Sequence, residues 1–332
     1  MSQCFHWVTP VECTPGVTGG WHDVDLDSYV VGLGADTTGA MLHVINTSTT
    51  TDYNFGYRKN GSTWDMKEDM LARSHFWVMV GVDASRIFEL YIENKTYQRI
   101  YLVGYTTTGV EFFTNGYDKS LFAAGMWLDI DCSGQCPSGA YGLIFHHVGT
   151  ILCEYPYDMA LRCDGSTDDR KSYNSALHNP ACLLTKCMPG RVCEGYIEHT
   201  DVDFYLAGYV TDGAILHTNR PFRTPGGTGS WTDLTAFPSR SAGGFYEAHG
   251  SGGRNSDYGL RKNGSSENWQ IPMKTSADGY VECDSSDIVE GLIDSILQDI
   301  YEIGYAEKDV ASGAGGSGAG GVTGGAARLL VG

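Results

Sequence analysis

Apolar and polar positions alternate with a period of two along much of this 332-residue chain, the signature of half-solvated β-strands. Phe88, Leu90 and Ile92 fall on one face, with Ile87, Glu89, Tyr91 and Glu93 on the other. The arrangement returns at 192–198, where Cys193, Gly195 and Ile197 lie opposite Val192, Glu194, Tyr196 and Glu198. Residues 284–300 carry a conflicting signal. Ile288, Leu292 and Ile296 fall at helical spacing behind Asp284 to Asp287, a run suited to capping a helix. Ile288, Glu290, Leu292 and Asp294 nevertheless occupy the register of the two strands, and the repetition predicts a strand here.

Three copies of one unit account for that repetition. Trp21, Trp127 and Trp231 open the copies at intervals of roughly 100 residues. An arginine and a glycine turn follow in each: Arg58 with Gly61, Arg162 with Gly165, and Arg261 with Gly264. Their Asn-Gly or Asp-Gly pairs predict tight hairpin turns with both central residues at positive φ. A Tyr-x-x-Gly-Tyr strand comes next, at 101–105, 205–209 and 301–305. A period this long marks tandem domains, since solenoid repeats run only ~20–50 residues. The expected architecture is all-β: three jelly-roll-like sandwiches at 19–118, 119–223 and 224–308.

Residues 1–18 are expected to form an N-terminal arm, and 309–332 a Gly/Ala/Ser-rich tether ending in Leu329, Leu330 and Val331. The third copy stops soon after Tyr305, whereas the first two continue through Asn115 and Asn219, so it reads as one edge strand short. The β-prone stretch CFHWVT (4–9) is expected to pair with an exposed sheet edge, in its own chain or by strand exchange with a second copy.

Composition sharpens this picture. The 44 Gly, 20 Tyr and 12 Phe suit strands joined by turns. A net charge of −18 opposes binding to nucleic-acid phosphates, so no nucleic-acid partner is expected. No stretch of 18 apolar residues marks a membrane-spanning helix, and the N-terminus lacks the pattern of a secretion signal, which points to synthesis in a cytoplasm. Seven of the ten cysteines lie in the second copy: Cys132, Cys136, Cys153, Cys163, Cys182, Cys187 and Cys193. None recurs at equivalent positions in all three, so they read as core-filling hydrophobes; zinc or local bridges at Cys132/Cys136 and Cys182/Cys187 are the weaker reading.

No nucleophile elbow, metalloprotease helix or phosphate-cradling loop is present, so no catalytic residue, cofactor or metal is assigned. His43 and His146 align between copies and read as histidines paired within a sheet. The pairs Asp23/Asp25 and Asp129/Asp131 could hold Ca²⁺ but read first as solvated edge-strand faces; the third copy keeps only Asp233. Trp21, Trp127 and Trp231 admit two readings, as sandwich core or as exposed platforms for stacking sugar rings, and their recurrence favours the core.

The tandem phrasing of GLRKNGS-like turns and YLVGY-like strands resembles repeats in structural proteins of tailed bacteriophages. The resemblance implies a virion component made in the host cytoplasm: a capsid decoration or cement protein, or part of a tail or fibre. Its partners would be capsid or other virion proteins, with surface glycans as the ligands of an alternative, lectin-like module.

Overall fold

A computed structural model describes residues 2–149, 157–174, 181–234, 237–250, 256–269, 271–272 and 277–309. Among them the backbone forms β-strands and one short 3-10 turn, Leu26–Ser28. Unit one contains β1 (Phe5–Glu12), β2 (Trp21–Asp25), β3 (Thr37–Asn46), β4 (Tyr53–Lys59), β5 (Glu68–Met70), β6 (Ser74–Gly81), β7 (Ile87–Ile92) and β8 (Gln98–Thr107). Unit two contains β9 (Val110–Asp118), β10 (Trp127–Asp131), β11 (Gly142–Gly149), β12 (Tyr157–Cys163), β13 (Ser172–Asn174), β14 (Ala181–Lys186), β15 (Val192–Ile197) and β16 (Val202–Val210). Unit three contains β17 (Ala214–Leu216), β18 (Thr232–Asp233), β19 (Ser241–Gly250), β20 (Asp257–Lys262), β21 (Ile271–Pro272), β22 (Ala277–Glu282), β23 (Val289–Ile293) and β24 (Gln298–Glu307).

Each unit is two four-stranded antiparallel sheets with one strand order. The first, second and third units give β1-β8-β3-β6 with β2-β7-β4-β5, β9-β16-β11-β14 with β10-β15-β12-β13, and β17-β24-β19-β22 with β18-β23-β20-β21. Eight strands in two interleaved sheets make a jelly roll. The alternation read from sequence sets the faces: Phe88, Leu90 and Ile92 are buried between the sheets, while Glu89 and Tyr91 look outward. The 284–300 segment follows the repeat. Asp284 accepts the backbone N–H groups of Ser286 (2.8 Å) and Ile288 (2.9 Å), closing a turn rather than capping a helix. Asp83 does the same with Ser85 and Ile87. An Asp side chain makes these local bonds in either setting, which is why a helical signal arises on a strand that the repeat predicts correctly.

Hydrogen bonding corrects the expected boundaries. β9 pairs with β16 and β17 with β24, so each opens the unit that follows it in the chain. The limits 118/119 and 223/224 are therefore late by one strand. The 1–18 segment is likewise not an added arm: β1 is the first strand of unit one and pairs with β8 of its own chain. Nothing is missing from unit three, whose edge position β17 fills. The tether from residue 310 onward, with its Leu329–Val331 tip, lies outside the described residues.

The units close into a ring. Each unit has an equivalent backbone bond: Thr107 N to Cys4 O (3.0 Å), Thr211 N to Gly109 O (2.7 Å) and Glu307 N to Gly213 O (3.0 Å). Their acceptor ends meet at one pole, where a Cβ on Gly109 would stand 2.6 Å from Cys4 Sγ and one on Gly213 2.6 Å from Cys4 Cβ. Gln3 N also donates to Asp309 Oδ1 at 2.7 Å, bringing the two ends of the described chain together. Between the units, β6, β14 and β22 converge, with Met79 N on Cys182 Sγ (3.4 Å) and Tyr280 OH on Cys182 O (3.2 Å). Leu184 N donates to the buried carboxyl of Asp278 at 2.6 Å. Apolar knobs fill glycine hollows at the seams: Phe112 over Gly39 and Gly81, Leu216 over Gly142, Trp7 over Gly243.

Candidate functional site: the outer clamps and the three seams

On the outer face of each roll, the recurring Trp and Arg residues form one clamp. The guanidinium lies over the indole at 4.1 Å for Arg58 on Trp21, 4.0 Å for Arg162 on Trp127 and 4.1 Å for Arg261 on Trp231. The same arginines grip a carboxylate on the neighbouring strand: Glu89 (Nε to Oε2, 2.8 Å), Glu194 (2.8 Å) and Glu290 (2.7 Å). A third bond ties each to a backbone carbonyl six residues on, at Trp64, Asp168 and Glu267. The indole N–H donates to Asp65, Asp169 and Asn268.

These tryptophans are half-buried on the solvent side of the sheet and belong to neither of the two buried apolar clusters that the three sandwiches share, which corrects the core reading. One face of each ring is already taken by arginine, so the clamp is architecture rather than an open sugar platform. Gly61, Gly165 and Gly264 have φ of 78°, 74° and 75°. Asn60, Asp164 and Asn263 do not share that conformation, so only the glycine of each turn uses it, in place of the two-residue hairpin expected. Asn60 and Asn263 instead bond Asp83 (2.7 Å) and Asp284 (2.8 Å).

The seams carry residues that sequence reading passed over. Asn115, on the first strand of unit two, accepts from Ser62 Oγ (2.7 Å) and Thr63 N (3.0 Å) in the glycine turn of unit one. Asn219 repeats this on Ser166 (2.8 Å) and Thr167 (2.9 Å). Trp64 then lies flat on His146 of unit two, 5.3 Å apart and 6° from parallel. At the second seam Arg170 covers Tyr301, and Arg220 pairs with Glu247, which stands where the other units have His43 and His146.

The third seam differs. Counted on from Trp7 and Phe112, which pair with the equivalent Gly104 and Gly208, Pro10 falls at the position of Asn115, in a bulge where β1 is one residue shorter than β9, and it has no side-chain amide to offer. Trp269 meets His43 edge-on, at 5.8 Å and 84°. A cleft of about 390 Å³ opens there, against about 20 Å³ at the first seam.

The buried histidines are neutral. His43 and His75 share a 2.9 Å hydrogen bond, and His43 stacks on Trp77 at 4.1 Å. Burial pushes His43 well below the usual imidazole value, His75 down to about 3, His146 to about 4 and His147 to about 3. The nine described cysteines are free and buried, and Cys153 lies outside the described residues. Burial raises the thiols of Cys132 and Cys187 to about 12 and that of Cys136 to about 11, the condition of inert core thiols. Among the described residues no group of three or more His, Cys, Asp or Glu side chains is arranged to hold a metal ion. Asp23, Asp25, Asp129, Asp131 and Asp233 are exposed; Asp25 and Asp131 accept backbone N–H groups two residues on.

No family model matches the chain, and no curated protein matches it. Among solved structures, a crystal structure of a putative secreted protein from Parabacteroides distasonis is similar at 8% identity. It covers 63% of this chain and 81% of its own, with a TM-score of 0.17.

Proposed function

We propose that this chain is a non-enzymatic virion structural protein, a decoration or cement protein that binds a capsid exterior through three pseudo-equivalent jelly rolls. The observation that carries the reading is the ring: three rolls of one strand order, covalently joined and closed at a common pole. Such an object matches a partner surface of threefold or quasi-threefold symmetry, with one contact per unit.

The loops that follow the first and seventh strands of each roll support it. They are tied together by Gly19 N to Ile92 O (2.9 Å), Gly125 N to Ile197 O (2.8 Å) and Gly229 N to Ile293 O (2.8 Å). Each cluster presents exposed apolar side chains: Val17 and Tyr97 in unit one, Phe122 and Met126 in unit two, Ile296 and Leu297 in unit three. Large side chains left in water at the same place in three units are candidates for contact with a partner. The net charge of −18 fits a position outside packaged nucleic acid.

The test is co-sedimentation with particles that have been stripped of their decoration protein. The native chain pellets with the particles, and a Val17→Ser, Phe122→Ser, Ile296→Ser variant of unchanged melting temperature stays in the supernatant. A native chain that never pellets with particles rejects the reading.

A further inference from the structure

We infer that the open seam between units three and one is a binding site for a neutral sugar, one or two pyranose rings in size. The inference stands on the cleft alone and does not rest on the virion reading. Its volume, about 390 Å³, lies in the lower part of the ~300–1,000 Å³ range of small-molecule sites. The cleft exists because one clamp is missing. Asn115 and Asn219 hold the glycine turns shut at the other two seams, whereas Pro10 leaves the Ser265–Ser266 turn unheld and its hydroxyls at the cleft wall.

The lining has the mixed character that sugar rings require. Trp269 and Trp7 supply apolar ring surface for the C–H face of a pyranose. Ser265, Ser266 and the carboxyl of Glu267 stand beside them as partners for hydroxyl groups. Trp7 Nε1 is buried without a hydrogen-bond partner, one donor near this lining that the protein itself leaves unused.

The charges argue for a neutral ligand. Lys262 is paired with Glu282 at 2.8 Å and Arg261 with Glu290 at 2.7 Å, so no surplus cation faces the cleft to attract an anion. The Glu267 side chain lies in this lining with oxygens that can accept from sugar hydroxyls.

Titration calorimetry of the full chain against glucose, galactose, mannose, cellobiose and maltose, with choline and sialic acid as charged controls, tests the site. At least one neutral sugar binds, and Trp269→Ala weakens it about tenfold or more. Pro10→Asn, which restores the missing clamp, weakens it by a similar factor while leaving the melting temperature unchanged or higher. If no neutral sugar binds, if only choline or sialic acid binds, or if binding survives both substitutions, the inference is overturned.

Discussion

The indole of Trp7 in unit one lies against Gly243 of unit three, where a Cβ would stand 2.5 Å from Cζ2. This contact joins the first strand of the chain to its last unit, as Phe112 over Gly39 and Leu216 over Gly142 join the others. Replacing Trp7 by Ala should lower unfolding stability by about 2–4 kcal/mol, because the ring leaves a cavity that the sheet cannot fill. Gly243→Val should cost about 1–3 kcal/mol by overpacking. The double variant should cost less than the sum, since the smaller residue at 7 makes room for the larger at 243. Chemical denaturation of the four proteins measures the coupling, and strict additivity would show that the two residues do not touch.

Arg58, Arg162 and Arg261 each hold an indole, a carboxylate and a carbonyl at once. Arg58→Lys keeps the charge but loses the fork and most of the stack, so a loss of about 1–3 kcal/mol is expected. The indole ring current should shift the Arg58 side-chain protons upfield in the native protein, and nuclear magnetic resonance should find the lysine side chain of the variant near its random-coil shifts.

The recurring glycine of the Tyr-x-x-Gly-Tyr strands has a steric cause. A Cβ on Gly104 would stand 2.5 Å from His6 O, and Gly208 and Gly304 face Glu111 O and Ile215 O in the same way. The first strand of each roll runs against this point. Gly208→Ala should therefore cost about 1–3 kcal/mol although alanine is otherwise the smaller entropic burden, read as a lowered denaturation midpoint.

Four buried neutral histidines set the response to acid. Their folded pKa values lie below the unfolded value of about 6.5, so the unfolded chain binds protons first as pH falls. The stability they contribute is complete above pH ~6.5 and is lost on descending toward the folded values of about 3 to 4 of His75, His146 and His147. Each contributes a slope of at most about 1.4 kcal/mol per pH unit. Asp278 works in the opposite sense: burial raises its carboxyl, which favours the fold at low pH and costs stability as pH rises. Denaturation at pH 7 and pH 5 should show a less stable protein at pH 5, and a steeper loss in Asp278→Asn. Equal stability of Asp278→Asn at the two values would contradict neutral histidines.

Much of the architecture was legible because it rests on period-two burial, which three copies state three times. The strand at Val289–Ile293 was recovered by register with Ile87–Ile92 despite a helical local pattern. The phase of the repeat was not legible. Trp21 and Trp127 open second strands and Trp231 immediately precedes one, so the most visible landmarks do not mark the start of a unit, and only hydrogen bonding reveals that β1, β9 and β17 come first. The clamps were half visible: Arg and Trp stood out, but their stacking depends on cross-strand neighbours such as Trp21 beside Tyr91 and Gly56. The seams were hidden because Asn115 and Asn219 act on turns 53 residues away, and Pro10 matters only as their missing counterpart. The one signal was that both asparagines end the stretches 109–115 and 213–219.

Cryo-electron microscopy of particles carrying the protein tests the central claim most directly. Three roll-sized lobes of density, one per unit, should sit over a threefold or quasi-threefold position of the capsid exterior, touching it through the loops that bear Val17, Phe122 and Ile296. Density of one roll in contact with the other two hanging free, or none on the particle, would contradict a ring built for three equivalent contacts.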